Sequence, residues 1–153
     1  MTTLLRELPE RDAHANLYEI TMFLLGFLDD PSVWPALMIR WELALLDELG
    51  FGLDLAACAA GSGSEDLCFV SPKSGRAVSR EAGTPYADRL LALPAFLRPG
   101  RRGDVTEADL VDGFALTGYF LASRIFAAQG GELPEPVRRM RGLCSPWPTA
   151  AAL

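Results

Sequence analysis

The chain has 153 residues, half of them hydrophobic and 22% charged, a composition typical of a folded globular domain rather than of a disordered segment. Its 14 basic and 20 acidic side chains give a net charge of −6, which argues against a protein that binds nucleic acid over its whole surface. No apolar run approaches the roughly 18 residues of a membrane span, and no secretory signal is expected. Three cysteines at unrelated spacings favour a reducing compartment, so we expect one cytoplasmic domain over residues 1–153.

Hydrophobic periodicity predicts helices over residues 14–29, 33–49 and 106–128, and a short last helix over 135–140. Apolar side chains cover most of the circumference of the 33–49 helix, which is typical of a buried central helix. Residues 145–153 contain prolines and are expected to form a disordered tail.

Side-chain caps are predicted at three helix starts, by Asn16 with Glu19, by Ser32, and by Thr106 with Asp109. Later in the chain, Gly118 and Ala122 are small residues four positions apart on the 106–128 helix. This spacing predicts a close approach of another backbone.

The middle of the chain has a different pattern. Residues 67–70 and 76–79 are predicted to form a β-hairpin inside an insertion that covers residues 56–83. Residues 85–93 are predicted to form a short helix, followed by a turn. The predicted fold is therefore mostly α, a helical bundle around a buried central helix, with a small β-hairpin insertion.

Charge is also unevenly distributed. Residues 71–102 carry seven basic and two acidic side chains, a local charge of +5, so the remaining residues together carry −11. This basic stretch is either a solvated face that balances acidic neighbours or a contact for nucleic-acid phosphates, for which Lys73, Arg76 and Arg80 are the candidates. Few aromatic residues lie between its arginines, which disfavours base stacking along it.

Catalytic chemistry finds little support in the sequence. The only histidine, His14, has no serine or cysteine close to it in sequence, and neither a nucleophile elbow nor a phosphate-binding loop is present. Glu42 is unusual, because it is an acid in an apolar helix. It is either paired with an arginine or with backbone N–H groups, or it is a catalytic carboxylate that needs a second acid beside it. We expect no enzyme and no cofactor.

No metal site is expected either. Zinc needs four thiolate or imidazole ligands, usually from paired cysteines, whereas Cys58, Cys68 and Cys144 are far apart in sequence.

Arg40 and Trp41 are the candidate partner-binding residues. A guanidinium beside an apolar groove can bind the C-terminal carboxylate of a peptide while the groove takes its hydrophobic side chains. The alternative is an intrahelical ion pair of Arg40 with Asp47 or Glu48.

Four segments together resemble the C-terminal helical domain of the bacterial recombination mediator RecO, of the alphaproteobacterial type. The most specific segment begins Arg40-Trp41-Glu42-Leu43-Ala44 and extends to Leu55 with Cys58 after it, and the others cover residues 8–19, 69–79 and 116–121. The resemblance extends from about residue 4 to residue 141. Nothing in the sequence resembles the oligonucleotide-binding barrel that precedes this domain in RecO-like proteins, so the chain resembles a RecO without its N-terminal domain.

The resemblance implies both a structure and a function. Many relatives carry a four-cysteine zinc knuckle; here Cys58 matches its first ligand, but Gly61, Ser79 and Ala82 stand at the other positions. RecO-like proteins anneal single strands, bind RecR and help to load RecA onto DNA coated by single-strand-binding protein. They bind the acidic tail of that protein through the helical domain, where an arginine corresponds to Arg40, and they bind single-stranded DNA mainly through the N-terminal domain.

Overall fold

The computed structural model of the protein describes residues 1–8, 14–61, 66–100, 104–127 and 130–142. It confirms a mostly helical fold with a small sheet. The elements in chain order are α1 (Thr2–Leu5), α2 (Ala15–Leu25), α3 (Trp34–Glu48), β1 (Leu67–Val70), β2 (Ala77–Ser79), α4 (Arg80–Gly83), β3 (Leu91–Ala92), α5 (Glu107–Phe120) and α6 (Glu135–Gly142). A wider helical turn, Leu121–Ile125, continues α5. The predicted tail over residues 145–153, like Cys144, lies outside the described residues.

Helix α3 lies at the centre of the structure, as predicted. Ile39, Trp41, Leu45 and Leu46 are all completely buried, and α3 packs against both α2 and α5. The polar edge of Trp41 is also satisfied, because its indole Nε1 donates a hydrogen bond of 2.7 Å to the Thr21 hydroxyl on α2. One hydrophobic cluster includes these side chains, those of α5 and the inner residues of the sheet.

The sheet has the strand order β2-β1-β3, and both pairings are antiparallel. The predicted hairpin is confirmed by the pairing of β1 with β2. The helix predicted over residues 85–93 is confirmed only in its first half, as the 3₁₀ helix Thr84–Arg89, because strand β3 follows it. The backbone of β3 pairs with the free edge of β1, and directly after β3 the Leu93 N–H donates to the Cys68 carbonyl at 2.9 Å. Hydrogen bonds to the unpaired edge of β1 stabilise an extended backbone here more than the weak local helix pattern stabilises a helix.

Helix α5 begins at the predicted cap. The Thr106 hydroxyl accepts a hydrogen bond from the Asp109 backbone N–H, and the Asp109 carboxylate accepts one from the Thr106 backbone N–H. This reciprocal arrangement satisfies N–H groups that the first helical turn leaves without a partner. Further along the helix, Gly118 does permit a close approach, but by the side chain of Arg141 rather than by a backbone.

The other two predicted caps are wrong. Helix α2 begins after His14 without a side-chain cap, and it ends at Leu25 rather than at residue 29. Val33 precedes α3, while Ser32 instead donates to the Asp30 carboxylate from both its backbone N–H and its hydroxyl. Within the described ranges, no helix is long and apolar enough to cross a membrane.

Candidate peptide-binding groove

A surface groove of about 680 Å³ lies between α2 and α3. Its lining is mostly apolar and carries one basic and one acidic side chain: Glu19, Ile20 and Phe23 from α2, Leu37, Arg40 and Leu43 from α3, and Leu97. Leu97 belongs to a 3₁₀ turn, Ala95–Leu97, that follows β3. We call this surface the α2–α3 groove.

The structure places Arg40 in this groove, with its side chain exposed to solvent. Its Nη2 donates a hydrogen bond of 2.6 Å to the Phe96 carbonyl, and its guanidinium carbon lies 5.7 Å from the centroid of the Phe96 ring. The alternative ion pair is not formed, since Glu48 instead contacts His14 Nδ1 at 2.8 Å. Because no described carboxylate forms an ion pair with Arg40, its remaining N–H donors are available to a ligand.

Of the two candidate partner-binding residues, Trp41 does not line the groove. Its side chain is completely buried and directed toward Thr21, so it supports the helix packing behind the groove. The neighbouring side chains Leu37 and Leu43 provide the apolar lining instead. The reason is helical geometry: adjacent residues on a helix point about 100° apart, so Arg40 faces the groove while Trp41 faces the interior.

The turn beside Arg40 is held by the start of α5. The backbone N–H of Ala95 donates to Asp109 Oδ1 at 3.4 Å, so one carboxylate both caps α5 and holds this turn. Burial raises the pKa of Asp109, but hydrogen bonds from Thr106 and Ala95 and the charge of Arg98 outweigh it, and the pKa is lowered overall. Sequence reasoning missed Phe96 and Asp109 as supports of the site, because neither is close to Arg40 in sequence.

Comparison with known proteins identifies the family. The family model described as "Recombination protein O C terminal" matches residues 1–130 of this chain. The chain belongs to the RecO family. It is 52% identical over 148 residues to the DNA repair protein RecO of Methylorubrum populi, and this alignment covers 94% of the chain and 60% of that relative.

Other RecO proteins are similarly related. The DNA repair protein RecO of Beijerinckia indica is 52% identical over 136 residues, which cover 88% of this chain and 54% of the relative. That of Mesorhizobium japonicum is 50% identical over 135 residues, which cover 88% of this chain and 53% of the relative. The chain therefore spans at most about 60% of the length of these curated RecO relatives. No solved structure matches the chain.

The zinc knuckle of RecO-like proteins does not fit the residues present here. The backbone N–H of Ser79 donates to the Cys58 thiol at 3.2 Å, and the Ser79 hydroxyl caps α4 by accepting from the Ala82 N–H. Neither Ala82 nor Gly61 has a side chain that could bind a metal. In the parts of the chain that the structure describes, no group of three His, Cys, Asp or Glu is placed to hold a metal ion.

The candidate nucleic-acid contacts are separate from the groove in the RecO domain. Lys73 lies in the hairpin turn, where its carbonyl accepts a hydrogen bond from the exposed Arg124 at 2.8 Å. Arg76 and Arg80 are exposed, and each contacts an acid: Arg76 contacts Asp54 at 3.3 Å and Arg80 contacts Asp66 at 2.8 Å. Their contacts agree with the interpretation of a solvated face that balances acidic neighbours.

Glu42 is buried and paired, as one of the two interpretations predicted. Its Oε2 accepts hydrogen bonds of 2.5 Å from Arg141 Nη2 and from the Thr117 hydroxyl. Arg141 Nη1 also donates to the Phe114 carbonyl, and its guanidinium carbon lies 5.3 Å from the Phe114 ring centroid. The sequence indicated that Glu42 needs a partner, but Arg141 itself was missed because it is 99 positions away.

Proposed function

We propose that this RecO domain is a partner-binding module that binds the acidic C-terminal tail of single-strand-binding protein in the α2–α3 groove. The observation that carries the proposal is Arg40, an exposed cation without an ionic partner among the described residues, set in an otherwise mostly apolar groove. A terminal carboxylate can accept charge-assisted hydrogen bonds from a guanidinium, and large apolar side chains can be buried against aliphatic walls.

Preorganisation of Arg40 supports the same role. A free arginine side chain loses considerable rotamer entropy when it binds a ligand, which weakens binding. Here the hydrogen bond to the Phe96 carbonyl and the stacking on the Phe96 ring already restrict the guanidinium before any ligand arrives. The remaining donors can therefore bind a carboxylate at a smaller entropic cost.

The wider role follows from the family. We propose that the domain acts in the cytoplasm without catalysis, as part of a recombination mediator that anneals single strands, binds RecR and helps to load RecA. The recruitment of single-strand-binding protein through the groove would bring the mediator to DNA that this protein covers. Binding of single-stranded DNA would depend mainly on the N-terminal domain of RecO-like proteins.

A charge reversal tests the proposal. We expect Arg40→Glu to weaken binding of a labelled acidic tail peptide at least about tenfold, because the carboxylate would lose its cation and meet a like charge. The measurement is fluorescence polarisation at 0.15 M salt, where the Debye length is about 8 Å and distant charges contribute little. Arg89→Glu is the matched control, since Arg89 is exposed and lies outside the groove lining.

The control variant is expected to bind within about twofold of the unaltered domain, because Arg89 is exposed and does not line the groove. Circular dichroism establishes that both variants fold. If Arg40→Glu binds the peptide as tightly as Arg89→Glu does, the groove is not the site and the proposal is wrong.

The alternative function is a nucleic-acid contact through Lys73, Arg76 and Arg80. The observation that favours it is the exposed Arg124, whose guanidinium is held at the Lys73 carbonyl and so adds a cation to the hairpin turn. Phosphate contacts of this kind are independent of sequence and weaken steeply as salt rises. The salt dependence of DNA binding therefore distinguishes this function from peptide binding.

A further inference from the structure

Large apolar side chains that are exposed to solvent are concentrated on and directly after α2. Of the eight among the described residues, six lie within residues 18–28: Tyr18, Met22, Phe23, Leu25, Phe27 and Leu28. Tyr18, Met22 and Leu25 follow one another at spacings of four and three residues, so they lie along one side of the helix. None of these three lines the α2–α3 groove. We call them the α2 stripe.

The packing of the fold does not account for the α2 stripe. Helix α2 packs against α3, and the residues that it buries are Leu17 and Leu24. By contrast, between 44% and 66% of each residue of the α2 stripe is exposed. An apolar stripe with this spacing is what a helix presents when it packs against another helix. Helix α2 therefore has one apolar side in the core and a second that no described residue covers.

The charges next to the α2 stripe along the chain are all negative. Glu19 lies three residues before Met22 and is therefore its neighbour on the helix surface, while Asp29 and Asp30 follow the end of α2. Residues 15–33 contain no basic side chain. Among the described residues, none forms an ion pair with any of these three carboxylates. An apolar surface with acidic ends is complementary to an apolar surface with basic ends.

We propose that the α2 stripe is a docking surface for a basic amphipathic helix of another protein. The partner helix lies along α2, packs its own apolar residues against the stripe and places lysine or arginine side chains near Glu19 and Asp29. The stripe covers about two turns of α2, or roughly 10 Å, so a short helix is sufficient to cover it. This docking surface is independent of the peptide-binding function proposed above, because the stripe lies outside the groove.

A second copy of the chain fits the α2 stripe less well than a basic helix does. A two-fold dimer through α2 would bring the acidic side chains of both copies together, and like charges across an interface repel. The three side chains also expose only on the order of 250 Å² together. A stable complex of two folded proteins buries about 800 Å² on each partner, whereas a single docked helix needs much less. An anionic lipid surface is disfavoured by the same negative charges.

Two synthetic helices and two pairs of matched variants test the proposal. Both peptides have about 18 residues, so that they form helices, and both carry leucines at the spacings of the α2 stripe. One has lysines at the flanking positions and the other has glutamates. Fluorescence polarisation at 0.15 M salt measures their binding to the unaltered domain, to Tyr18→Ser and to Asp29→Lys. The controls are Tyr86→Ser and Asp104→Lys, since both residues are exposed and lie outside the stripe and the groove.

We expect the lysine peptide to bind the unaltered domain, and the glutamate peptide to bind at least about tenfold more weakly because it meets like charges. Tyr18→Ser should weaken binding of the lysine peptide at least about fivefold, since it removes the most exposed side chain of the stripe. Asp29→Lys should weaken it about three- to tenfold, because an attraction becomes a repulsion. Both controls are expected to bind within about twofold of the unaltered domain.

Several results would overturn the proposal. It is wrong if the lysine peptide does not bind, if the glutamate peptide binds as tightly, or if Tyr86→Ser weakens binding as much as Tyr18→Ser does. Circular dichroism establishes that the variants fold, which is expected because every altered side chain is exposed.

Two further measurements separate this surface from self-association and from the groove. We expect sedimentation velocity to show a monomer at high micromolar concentration, and a dimer that Tyr18→Ser dissociates would assign the α2 stripe to a second copy and overturn the proposal. The acidic tail peptide should bind Tyr18→Ser as tightly as the unaltered domain. If that variant instead loses the tail peptide, the stripe belongs to the groove and is not a separate docking surface.

Discussion

Replacing Arg141 by alanine removes the charge that compensates Glu42 in the centre of the fold. The Glu42 side chain is completely buried and only 5% of the Arg141 side chain is exposed, so water cannot take over the lost contact. The Thr117 hydroxyl remains as a donor, but it carries no charge. The removal of one partner from a buried ion pair typically costs about 3–5 kcal/mol.

This free energy translates into a clear shift of the unfolding temperature. For a chain of this length, 1 kcal/mol corresponds to about 2–4 °C, so Arg141→Ala is expected to unfold about 10 °C lower. Urea titration followed by circular dichroism gives the free energy of unfolding directly. Arg139→Ala is the matched control, because Arg139 is 76% exposed and its side chain forms only a surface ion pair with Glu135 on its own helix. It is expected to cost less than about 1 kcal/mol.

The double variant Glu42→Leu with Arg141→Met completes the test. It removes both charges and replaces them with apolar groups of similar size, which is often neutral or stabilising for a buried pair. The Thr117 hydroxyl keeps an acceptor in the Gly113 carbonyl, 3.1 Å away. We therefore expect the double variant to be more stable than Arg141→Ala by at least about 2 kcal/mol. If Arg141→Ala costs no more than Arg139→Ala, the buried pair does not hold α6 to the core and the reasoning is wrong.

Two further predictions concern α5 and the basic stretch. Because the folded-state pKa of Asp109 is lowered, its contribution to stability is present above its ordinary value of 3.8 and is lost as pH falls through the folded pKa. Asp109→Asn should therefore lower the free energy of unfolding by about 1 kcal/mol at neutral pH. The difference in unfolding temperature between this variant and the unaltered domain should shrink below about pH 4, and a difference that stays constant there would contradict the prediction. If the alternative function holds, the domain binds single-stranded DNA. Joint replacement of Lys73, Arg76 and Arg80 by alanine then makes the negative slope of log affinity against log salt concentration less steep by about 2. A slope equal to that of the unaltered domain excludes a role for these residues.

The elements that could be predicted from the sequence are those with local signals. Helix α3 is apolar nearly all round, and such a pattern is satisfied only when a helix is surrounded by other elements. Thr106 with Asp109 is likewise a capping pair whose two partners are three residues apart, so their contact needs only one helical turn. Both predictions are confirmed, because in each case the signal lies within the helix itself.

The predictions that failed depend on distant partners. Residues 91–92 form a strand because the edge of β1 is available to them, and nothing in their own sequence indicates that edge. Trp41 was a candidate partner-binding residue beside Arg40, but its side chain is buried and its indole contacts Thr21 on the neighbouring helix. Arg141 satisfies Glu42 only because α6 packs back beside Gly118, where a Cβ atom would leave no room for the guanidinium.

The α2–α3 groove depends both on a local sequence signal and on contacts with residues far away in sequence. Arg40 could be singled out from the sequence because a cation beside an apolar helix face is unusual, but its setting is made by the Phe96 carbonyl, 56 positions away. The turn that carries Phe96 is in turn held by Asp109, which also caps α5. The helix cap and the groove therefore share one carboxylate. Because of this shared contact, Asp109→Asn should weaken peptide binding as well as stability, whereas a variant that loosens only the far end of α5 should leave the groove unchanged.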